Sequence, residues 1–264
     1  MELPQNHFKR AITAGRQQIG MWVALGDASC AELVAASGFD WLLIDAEHGP
    51  NDVRSVLAQL QAIAPYRSHA VVRPPIGDPV LIKRYLDIGA QSLLIPMVES
   101  AEQARELVAA TRYAPAGLRG VATLTRAARW TRVPDYLQLA RNEICLIPQI
   151  ESVTALNHVE AIAATDGVDA VFIGPADLAA TMGHIGRAGH PEVVAEVERA
   201  ILRVRAAGKP AGILSVDEAL VRRYLQLGCE FVAVGVDATI FAHAIDKVRE
   251  RFISPAIVGS SPGY

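Results

Sequence analysis

Two apolar runs, EICLIPQIE at residues 143–151 and VDAVFIGPAD at residues 168–177, decide the fold. Each run is rich in Ile, Val or Phe and ends abruptly on a carboxylate, Glu151 in the first and Asp177 in the second. Such runs are typical of buried parallel strands. If the two strands are neighbours in one sheet, both carboxylates lie at the same edge. Hard oxygen donors at one edge favour a divalent-metal site.

Strand and helix patterns alternate along the rest of the chain. A helical pattern follows most of the apolar runs, as in DVRSVLAQLQAI, for which Asn51 is the expected N-cap. Eight strand-helix units in 264 residues predict an α/β fold, a TIM (β/α)8 barrel that forms a single domain over residues 1–264. A doubly wound sheet is the main alternative, but it usually needs a glycine-rich first turn, and neither GxGxxG nor GxxxxGK[ST] occurs. The predicted strands cover residues 19–25, 40–45, 70–73, 92–98, 143–150, 168–174, 210–214 and 231–235.

The composition favours a small-molecule partner. The formal net charge is -3 and no long basic run occurs, so the electrostatic pattern of a nucleic-acid-binding or membrane-binding protein is absent. Cys30, Cys145 and Cys229 lie singly in apolar segments, and we expect them to be core residues in a reducing compartment. With no apolar leader and no apolar run of membrane length, we expect a soluble, cytoplasmic protein. The tail from about residue 253 is expected to be loose or held by a neighbouring subunit.

Polar side chains collect at the predicted strand ends. In a barrel, the residues just beyond the strands converge on one face, where active sites lie. Charged residues that directly follow short apolar runs are costly to bury unless they are paired or bound to a metal. We therefore predict a site that contains Trp22, Asp45, Glu47, His48, Arg73, Gln149, Glu151 and Asp177.

The charged members of this set have both functional and structural interpretations. Glu151 and Asp177 are the proposed ligands of Mg²⁺ or Mn²⁺, or else each caps the helix that follows it. Arg73 is placed to neutralise an enolate oxygen as it forms, or else it makes an ion pair with Asp45 or Glu47.

Two further features have the same double interpretation. The turn Gly174-Pro175-Ala176 enters a helix, and its N–H groups could receive a substrate carboxylate, although a simple strand-to-helix turn explains these residues equally well. His48 lies beside acidic residues and is either a base or an ordinary hydrogen-bonded loop residue.

A long insertion interrupts the alternation after the fourth unit, at residues 111–135. We expect this loop to lie at the carboxyl face of the barrel and to form walls of the substrate pocket. Its arginines are Arg112, Arg119, Arg126, Arg129 and Arg132.

The lysine positions disfavour a Schiff-base mechanism, which needs a desolvated lysine in the site. The four lysines are Lys9, Lys83, Lys209 and Lys247, and none lies at the carboxyl end of a predicted strand. The sequence also contains no GxSxG elbow and no cysteine at a strand end. A metal is therefore the expected electron sink.

Six segments together resemble the class II, metal-dependent pyruvate aldolases of the HpcH/HpaI family. The similarity is greatest to its hydroxy-2-oxoacid aldolases, such as 4-hydroxy-2-oxoheptanedioate aldolase, and extends from about Gly20 to Phe252. The segments are DWLLIDAEHGPND (40–52), VVRPP (71–75), LLIPMVES (93–100), RYAPAGLRGV (112–121), QIES (149–152) and VDAVFIGPADLAATMG (168–183).

The resemblance implies a homohexamer of TIM barrels in which a C-terminal helix is exchanged between subunits. It implies reversible aldol cleavage of a 4-hydroxy-2-oxo acid to pyruvate and an aldehyde, and relatives of this kind take part in aromatic catabolism. Glu151 and Asp177 would bind a divalent metal, Mg²⁺, Mn²⁺ or Co²⁺, without an organic cofactor.

The resemblance also implies roles for individual residues. His48 would be the catalytic base and Arg73 the enolate stabiliser. Asp87, otherwise an ordinary charge late in a predicted helix, would raise the basicity of His48. The expected substrate contacts are Gln149, Ala176 and Asp177, together with Gly174, Pro175, Asp45, Trp22 and Leu214.

Two other functions fit parts of the sequence. A CoA-ester lyase of the citrate lyase β-subunit type would share the barrel and metal site, and the arginines of residues 111–135 keep it open. A catalytically silent barrel that binds metal or a 2-oxo acid is disfavoured, because His48, Arg73, Glu151 and Asp177 are all present. The same arginines suggest an acidic acceptor such as a semialdehyde, but relaxed specificity and subunit contacts explain them as well.

Overall fold

A computed structural model of the protein describes residues 1–253. Eight parallel strands close into a barrel in chain order, so the predicted TIM barrel is confirmed. The strands are β1 (Gln18–Val23), β2 (Trp41–Asp45), β3 (His69–Arg73), β4 (Ser92–Ile95), β5 (Cys145–Ile150), β6 (Val171–Ile173), β7 (Ala211–Leu214) and β8 (Phe231–Val236).

Helices surround this barrel. Two of them, α1 and α6, have no counterpart among the predicted elements. The helices are α1 (His7–Thr13), α2 (Ala28–Ala36), α3 (Val53–Ile63), α4 (Pro79–Asp87), α5 (Ala101–Thr111), α6 (Tyr136–Glu143), α7 (Val153–Asn157), α8 (Val159–Ala163), α9 (Pro175–Thr181), α10 (Pro191–Ala206), α11 (Glu218–Gln226) and α12 (Asp237–Phe252).

Some element ends differ from the predictions. The expected N-cap Asn51 is wrong, because Asp52 caps α3 in a capping box with Ser55. Strand β4 ends at Ile95 instead of residue 98, because the next residue, Pro96, has no N–H to donate to a neighbouring strand. The predicted loose tail, from about residue 253, lies almost entirely outside the described residues.

Helix α1 packs across the amino end of the barrel. Phe8 is buried there and contacts Trp41 and Phe231, with ring centroids 5.6 and 5.5 Å apart. Gly20 admits the indole of Trp41, since a Cβ at this position would lie 2.3 Å from the ring. Aromatic side chains thus fill the barrel interior at this end, and the active sites of TIM barrels lie at the opposite, carboxyl end.

Two compositional expectations can be compared with the structure. Cys145 and Cys229 are buried as predicted, whereas Cys30 is only partly buried on α2. Among the described residues, no helix combines the length and apolar character needed to cross a membrane.

Candidate active site at the carboxyl end of the barrel

Arg73 and Asp45 form a buried pair where two neighbouring strands end. They are register partners in β3 and β2. Arg73 Nε donates to Asp45 Oδ1 at 3.0 Å and Nη2 donates to Oδ2 at 2.6 Å. Burial alone would raise the pKa of Asp45, but the hydrogen bonds and charge of Arg73, helped by Trp22, lower it below its usual value. Asp45 therefore fixes Arg73 in one orientation as a carboxylate.

Protein donors occupy both oxygens of Asp45. Trp22 Nε1 donates to Oδ2 at 3.1 Å, and the N–H groups of Glu47 and His48 donate to Oδ1 at 3.0 and 3.3 Å. The guanidinium of Arg73 also lies over the Trp22 ring, 5.0 Å from its centroid. Asp45 thus organises the loop after β2, and its predicted contact with substrate stays a prediction.

Glu47 is the second anion beside Arg73. Its Oε2 lies 2.8 Å from Arg73 Nη1, but this buried oxygen accepts no directed hydrogen bond from the described residues. Burial raises the pKa of Glu47, against the opposing charges of Arg73 and His48. The two ion pairs considered for Arg73 in the sequence both exist, and they hold the guanidinium between Asp45 and Glu47 at the carboxyl end of the barrel.

His48 lies at the rim of the site. Its side chain is 69% exposed, and Nε2 is 3.9 Å from Glu47 Oε2. An exposed imidazole at a strand end is accessible both to a substrate and to a neighbouring molecule.

Glu151 is buried at the end of β5, and each of its oxygens accepts one hydrogen bond. Gln149 Nε2 donates to Oε2 at 2.6 Å, and the Met97 N–H donates to Oε1 at 2.6 Å. Gly174 makes this packing possible, because a Cβ there would lie 2.8 Å from both Gln149 Nε2 and Glu151 Oε2. Residue 174 must therefore be a glycine, because the side chains of Gln149 and Glu151 lie too close to it to leave room for a Cβ.

Burial raises the pKa of Glu151 to about 7. The Met97 N–H opposes this rise, whereas the negative charges of Glu47 and Asp177 add to it, and Arg73 opposes it again. Three carboxylates thus crowd one end of the barrel next to one arginine.

The capping alternative for the two proposed ligands does not hold. Ser152, and not Glu151, caps α7 by accepting from the Ala155 N–H. Gly174 is the N-cap residue of α9, and no side chain caps that helix end. The Asp177 side chain is accordingly left exposed in the first turn of α9.

The turn Gly174-Pro175-Ala176 offers fewer free N–H groups to a ligand than the sequence suggested. The Gly174 N–H donates to the Ile150 carbonyl at 2.8 Å, and Pro175 has no N–H. Within this turn, Ala176 is therefore the residue whose N–H is available to a ligand.

The donor set at this face fits a divalent cation. Glu47, Glu151 and Asp177 supply carboxylate oxygens, which Mg²⁺ and Mn²⁺ prefer. Two buried oxygens, Glu47 Oε2 and Gln149 Oε1, have no hydrogen-bond partner among the described residues. A bound cation with its water molecules would satisfy such oxygens and reduce the repulsion among the three acids.

Among the described residues, the potential ligands whose atoms all lie within 4.8 Å of one another are at the start of α10, namely His184, His190 and Glu192, and the oxygens of the three barrel acids are farther apart than this. Hydrogen bonds account for this group. Arg187 Nη2 is 3.4 Å from His184 Nδ1, and the Glu192 N–H donates to His190 Nδ1 at 3.3 Å. With Nδ1 of each ring as the acceptor, His184 carries its proton on Nε2, which lies 2.8 Å from Glu192 Oε2 and can donate to it.

Asp87 lies far from His48 of the same chain. It is the last residue of α4, which runs from the carboxyl end of β3 back to the amino end of β4. There its Oδ1 accepts from Arg119 Nη2 at 2.8 Å. The fold therefore places Asp87 and His48 at opposite ends of one barrel.

The insertion at residues 111–135 also lies at the amino end. It follows helix α5 rather than a strand, so the chain has already returned to that end. Arg119 pairs with Asp87, and Arg126 donates to the carbonyl of Ile88 at the end of α4. The expectation that this loop walls the pocket of its own chain is wrong.

The remaining predicted residues are placed as follows. Trp22 is buried and packs against Phe172, with ring centroids 5.7 Å apart, and Leu214 is half-buried beside the same cluster. Lys209 Nζ donates to the Val168 carbonyl at the amino end of the barrel, in agreement with the prediction that this lysine does not lie at the carboxyl end of a strand.

Sequence reasoning missed one feature of the site, the backbone of Met97. Its φ of 55° lies in the left-handed region, and its N–H contacts a proposed ligand. Pro96 marks the end of β4, but a methionine gives no signal for this conformation.

The chain is similar to known proteins over most of its length. The model of the family described as HpcH/HpaI aldolase/citrate lyase matches residues 18–244. A hydroxypyruvate/pyruvate aldolase of Pseudomonas aeruginosa is 57% identical over 267 aligned positions, which cover 100% of both chains. A 4-hydroxy-2-oxo-heptane-1,7-dioate aldolase of Salmonella paratyphi A is 57% identical over 249 positions, 94% of this chain and 95% of that one. The crystal structure of an HpcH/HpaI aldolase/citrate lyase family protein from Burkholderia cenocepacia J2315 superposes with a TM-score of 0.90 at 40% identity, covering 94% and 99% of the two chains.

Proposed function

The chain belongs to the HpcH/HpaI aldolase/citrate lyase family, and we infer that it is an aldolase that cleaves a 4-hydroxy-2-oxo acid reversibly to pyruvate and an aldehyde. The structural observation that carries this conclusion is the acid cluster of Glu47, Glu151 and Asp177 beside the buried Arg73. A fixed cation next to a candidate metal site suits a reaction in which negative charge develops on a 2-oxo oxygen.

Glu151 and Asp177 would hold the metal, with Glu47 beside them. A bound Mg²⁺, Mn²⁺ or Co²⁺ supplies a Lewis acid that polarises the 2-oxo group. Gln149 holds one Glu151 oxygen through its amide N–H, and Gly174 leaves the space that this contact requires.

Arg73 would stabilise the enolate oxygen that appears when the carbon-carbon bond breaks. Its Nε and Nη2 are held by Asp45, so the orientation of the guanidinium is set before the substrate arrives. Such preorganisation avoids a reorganisation cost during the reaction. The Ala176 N–H would receive the pyruvate carboxylate.

His48, directly or through a water molecule, would take the proton of the C4 hydroxyl as the C3–C4 bond breaks, and the enolate would then take a proton at C3 to become pyruvate. In the condensation direction the proton would return to the C4 oxygen. The exposure of His48 keeps the ring accessible, and within the described chain the nearest acid is Glu47 at 3.9 Å. The proposed effect of Asp87 on His48 requires a second subunit, because within one chain the two residues lie at opposite ends of the barrel.

The proposed assembly is a homohexamer in which α12 is exchanged between subunits. Apolar side chains are exposed along this helix in the single chain, which is unusual for a helix that faces only water. They are Ile240, Phe241, Ile245, Val248 and Phe252.

The CoA-ester lyase alternative has less support. The arginines that kept it open lie at the amino end of the same barrel, away from the acid cluster. For the same reason they do not identify the aldehyde acceptor in their own chain, although a semialdehyde stays the proposed class. The free cysteines Cys30, Cys145 and Cys229 agree with the proposed cytoplasmic location.

Pyruvate release from a 4-hydroxy-2-oxo acid tests the function directly. The assay is run with and without a chelator, with borohydride, and with malyl-CoA as a second substrate. We expect cleavage of the free acid, loss of activity with chelator and recovery with Mn²⁺. Activity that resists chelation, inactivation by borohydride, or turnover of the CoA ester alone would contradict the proposal.

A further inference from the structure

Met97 has a backbone conformation that its side chain does not favour. Its φ is 55°, in the left-handed region where a non-glycine residue places Cβ close to its own carbonyl oxygen. Residues held this way concentrate at functional sites, where the surrounding structure enforces the conformation.

The left-handed turn has a visible consequence at Glu151. The Met97 N–H donates to Glu151 Oε1 at 2.6 Å, while Gln149 Nε2 donates to Oε2 at 2.6 Å. The N–H of the next residue, Val98, donates to the main-chain carbonyl of Gln149 at 3.2 Å. The loop after β4 is therefore fastened to the end of β5 at the carboxylate itself.

Gln103 on α5 holds the turn from its other side. Its Nε2 donates to the Met97 carbonyl at 3.2 Å, and its Oε1 accepts from the Glu99 N–H at 2.9 Å. Its own N–H donates to Ser100 Oγ, the N-cap of α5, at 3.1 Å. The side-chain amide of Gln103 thus links residues 97 and 99 of this loop to the first turn of α5.

We propose that the left-handed Met97, held by Gln103, is a positioning device that orients the Glu151 carboxylate for metal binding. The inference rests on the proposed function, because it takes Glu151 as a metal ligand. A carboxylate that is held by a donor on each oxygen loses less rotational freedom when a cation binds. Met97 acts through its peptide N–H, so its side chain can vary if the backbone conformation survives.

Matched substitutions at residue 97 separate backbone from side chain. Met97→Ile keeps a large apolar side chain but is β-branched and resists the left-handed region, whereas Met97→Gly and Met97→Asn adopt it readily. We expect Met97→Ile to raise the Kd for Mn²⁺ about tenfold or more, as loss of such outer contacts does elsewhere. The Gly and Asn variants, which adopt the left-handed conformation readily, should lose much less affinity for Mn²⁺ than Met97→Ile.

Gln103 provides a second test that leaves residue 97 intact. Gln103→Glu keeps an acceptor for the Glu99 N–H but removes the donor to the Met97 carbonyl, and Gln103→Ala removes both. We expect a raised Kd for Mn²⁺ in both variants. Free Mn²⁺ is measured by electron paramagnetic resonance, and circular dichroism checks that each variant is folded.

The results distinguish this inference from the proposed function. If wild-type protein binds no Mn²⁺, the proposed metal site fails and the inference fails with it. If wild type binds Mn²⁺ and the Gln103 variants bind equally well, or if affinity at residue 97 follows side-chain size with Ile like Met and Gly weak, the inference alone is overturned.

Discussion

The guanidinium of Arg73 contacts the carboxylate of Asp45 through two nitrogens, with Nε 3.0 Å from Oδ1 and Nη2 2.6 Å from Oδ2. Both side chains are almost completely buried at the ends of adjacent strands. A bidentate pair in this position fixes the orientation of the guanidinium as well as balancing its charge. The cation of the site is thus oriented by the barrel itself.

Asp45→Asn should therefore harm stability and catalysis together. Removing one partner of a buried ion pair typically costs about 3–5 kcal/mol, and the remaining contact of Arg73 with Glu47 should keep the cost near the lower end of this range. We expect such a fall in the free energy of unfolding by urea, and a drop in kcat/KM of at least about a hundredfold. Glu218→Gln, which breaks the exposed pair with Arg222, is the control and should cost less than about 1 kcal/mol. Equal costs for the two variants would show that the buried pair has no special role.

Glu151→Gln should weaken metal binding without weakening the metal-free protein. The substitution removes a ligand charge but also removes one of three mutually repelling carboxylates. We expect loss of Mn²⁺-dependent pyruvate release, and a Tm in chelator equal to or above that of wild type. Scanning calorimetry with and without Mn²⁺ measures both effects, and a lower Tm in chelator would contradict the crowding of charge described for this site.

Mixed oligomers test whether Asp87 acts across subunits. His48→Ala and Asp87→Ala should each be nearly inactive alone. If one subunit supplies His48 and its neighbour supplies Asp87, co-expressed chains with different tags should regain about one quarter of wild-type activity, because random pairing restores about that share of complete sites. Activity no higher than that of the separate variants would rule out a shared site.

The exposed apolar side chains of α12 predict dependence on a partner. Phe241→Glu with Ile245→Glu places charges on a surface that we propose to be covered in the oligomer. We expect light scattering after gel filtration to show smaller species. Arg222→Glu on α11 is a charged control, and an unchanged mass for the α12 variant would reject this surface as an interface.

His69 should make the protein less stable in mild acid. Burial, with the nearby charge of His7, lowers the pKa of His69 to about 4, against 6.5 in an unfolded chain. Above pH 6.5 neither state binds the proton, and between 6.5 and about 4 the unfolded chain binds it preferentially. The free energy of unfolding should fall by up to about 3 kcal/mol as the pH decreases through this range.

Urea unfolding at several pH values measures this dependence. His69→Gln has no ring to titrate but can still bond Ser92 Oγ, which lies 2.9 Å from His69 Nε2. Its free energy of unfolding should decline less steeply below pH 6.5. Parallel pH profiles for wild type and variant would assign the acid sensitivity to other groups.

The barrel was predictable because strand patterns and breakers recur along the whole chain. The runs ending at Asp45, Arg73, Glu151 and Asp177 gave the strands and the face on which their side chains meet. Helix α1 was missed because a seven-residue amphipathic segment gives a weak periodic signal, although it closes the amino end of the barrel. The position of the insertion at residues 111–135 was wrong because a loop lies at the end of the barrel where its preceding element stops, and that element is α5.

The sequence by itself determined the barrel, the edge shared by Glu151 and Asp177, and the absence of a lysine from that edge, since strand direction and the two-residue period fix which residues meet. Tertiary structure decided what depends on contacts between distant segments. It paired Arg73 with Asp45 and Glu47, separated Asp87 from His48 of the same chain, and turned the Met97 N–H toward Glu151. Local propensity does not encode these arrangements, because each is enforced by neighbours far along the chain.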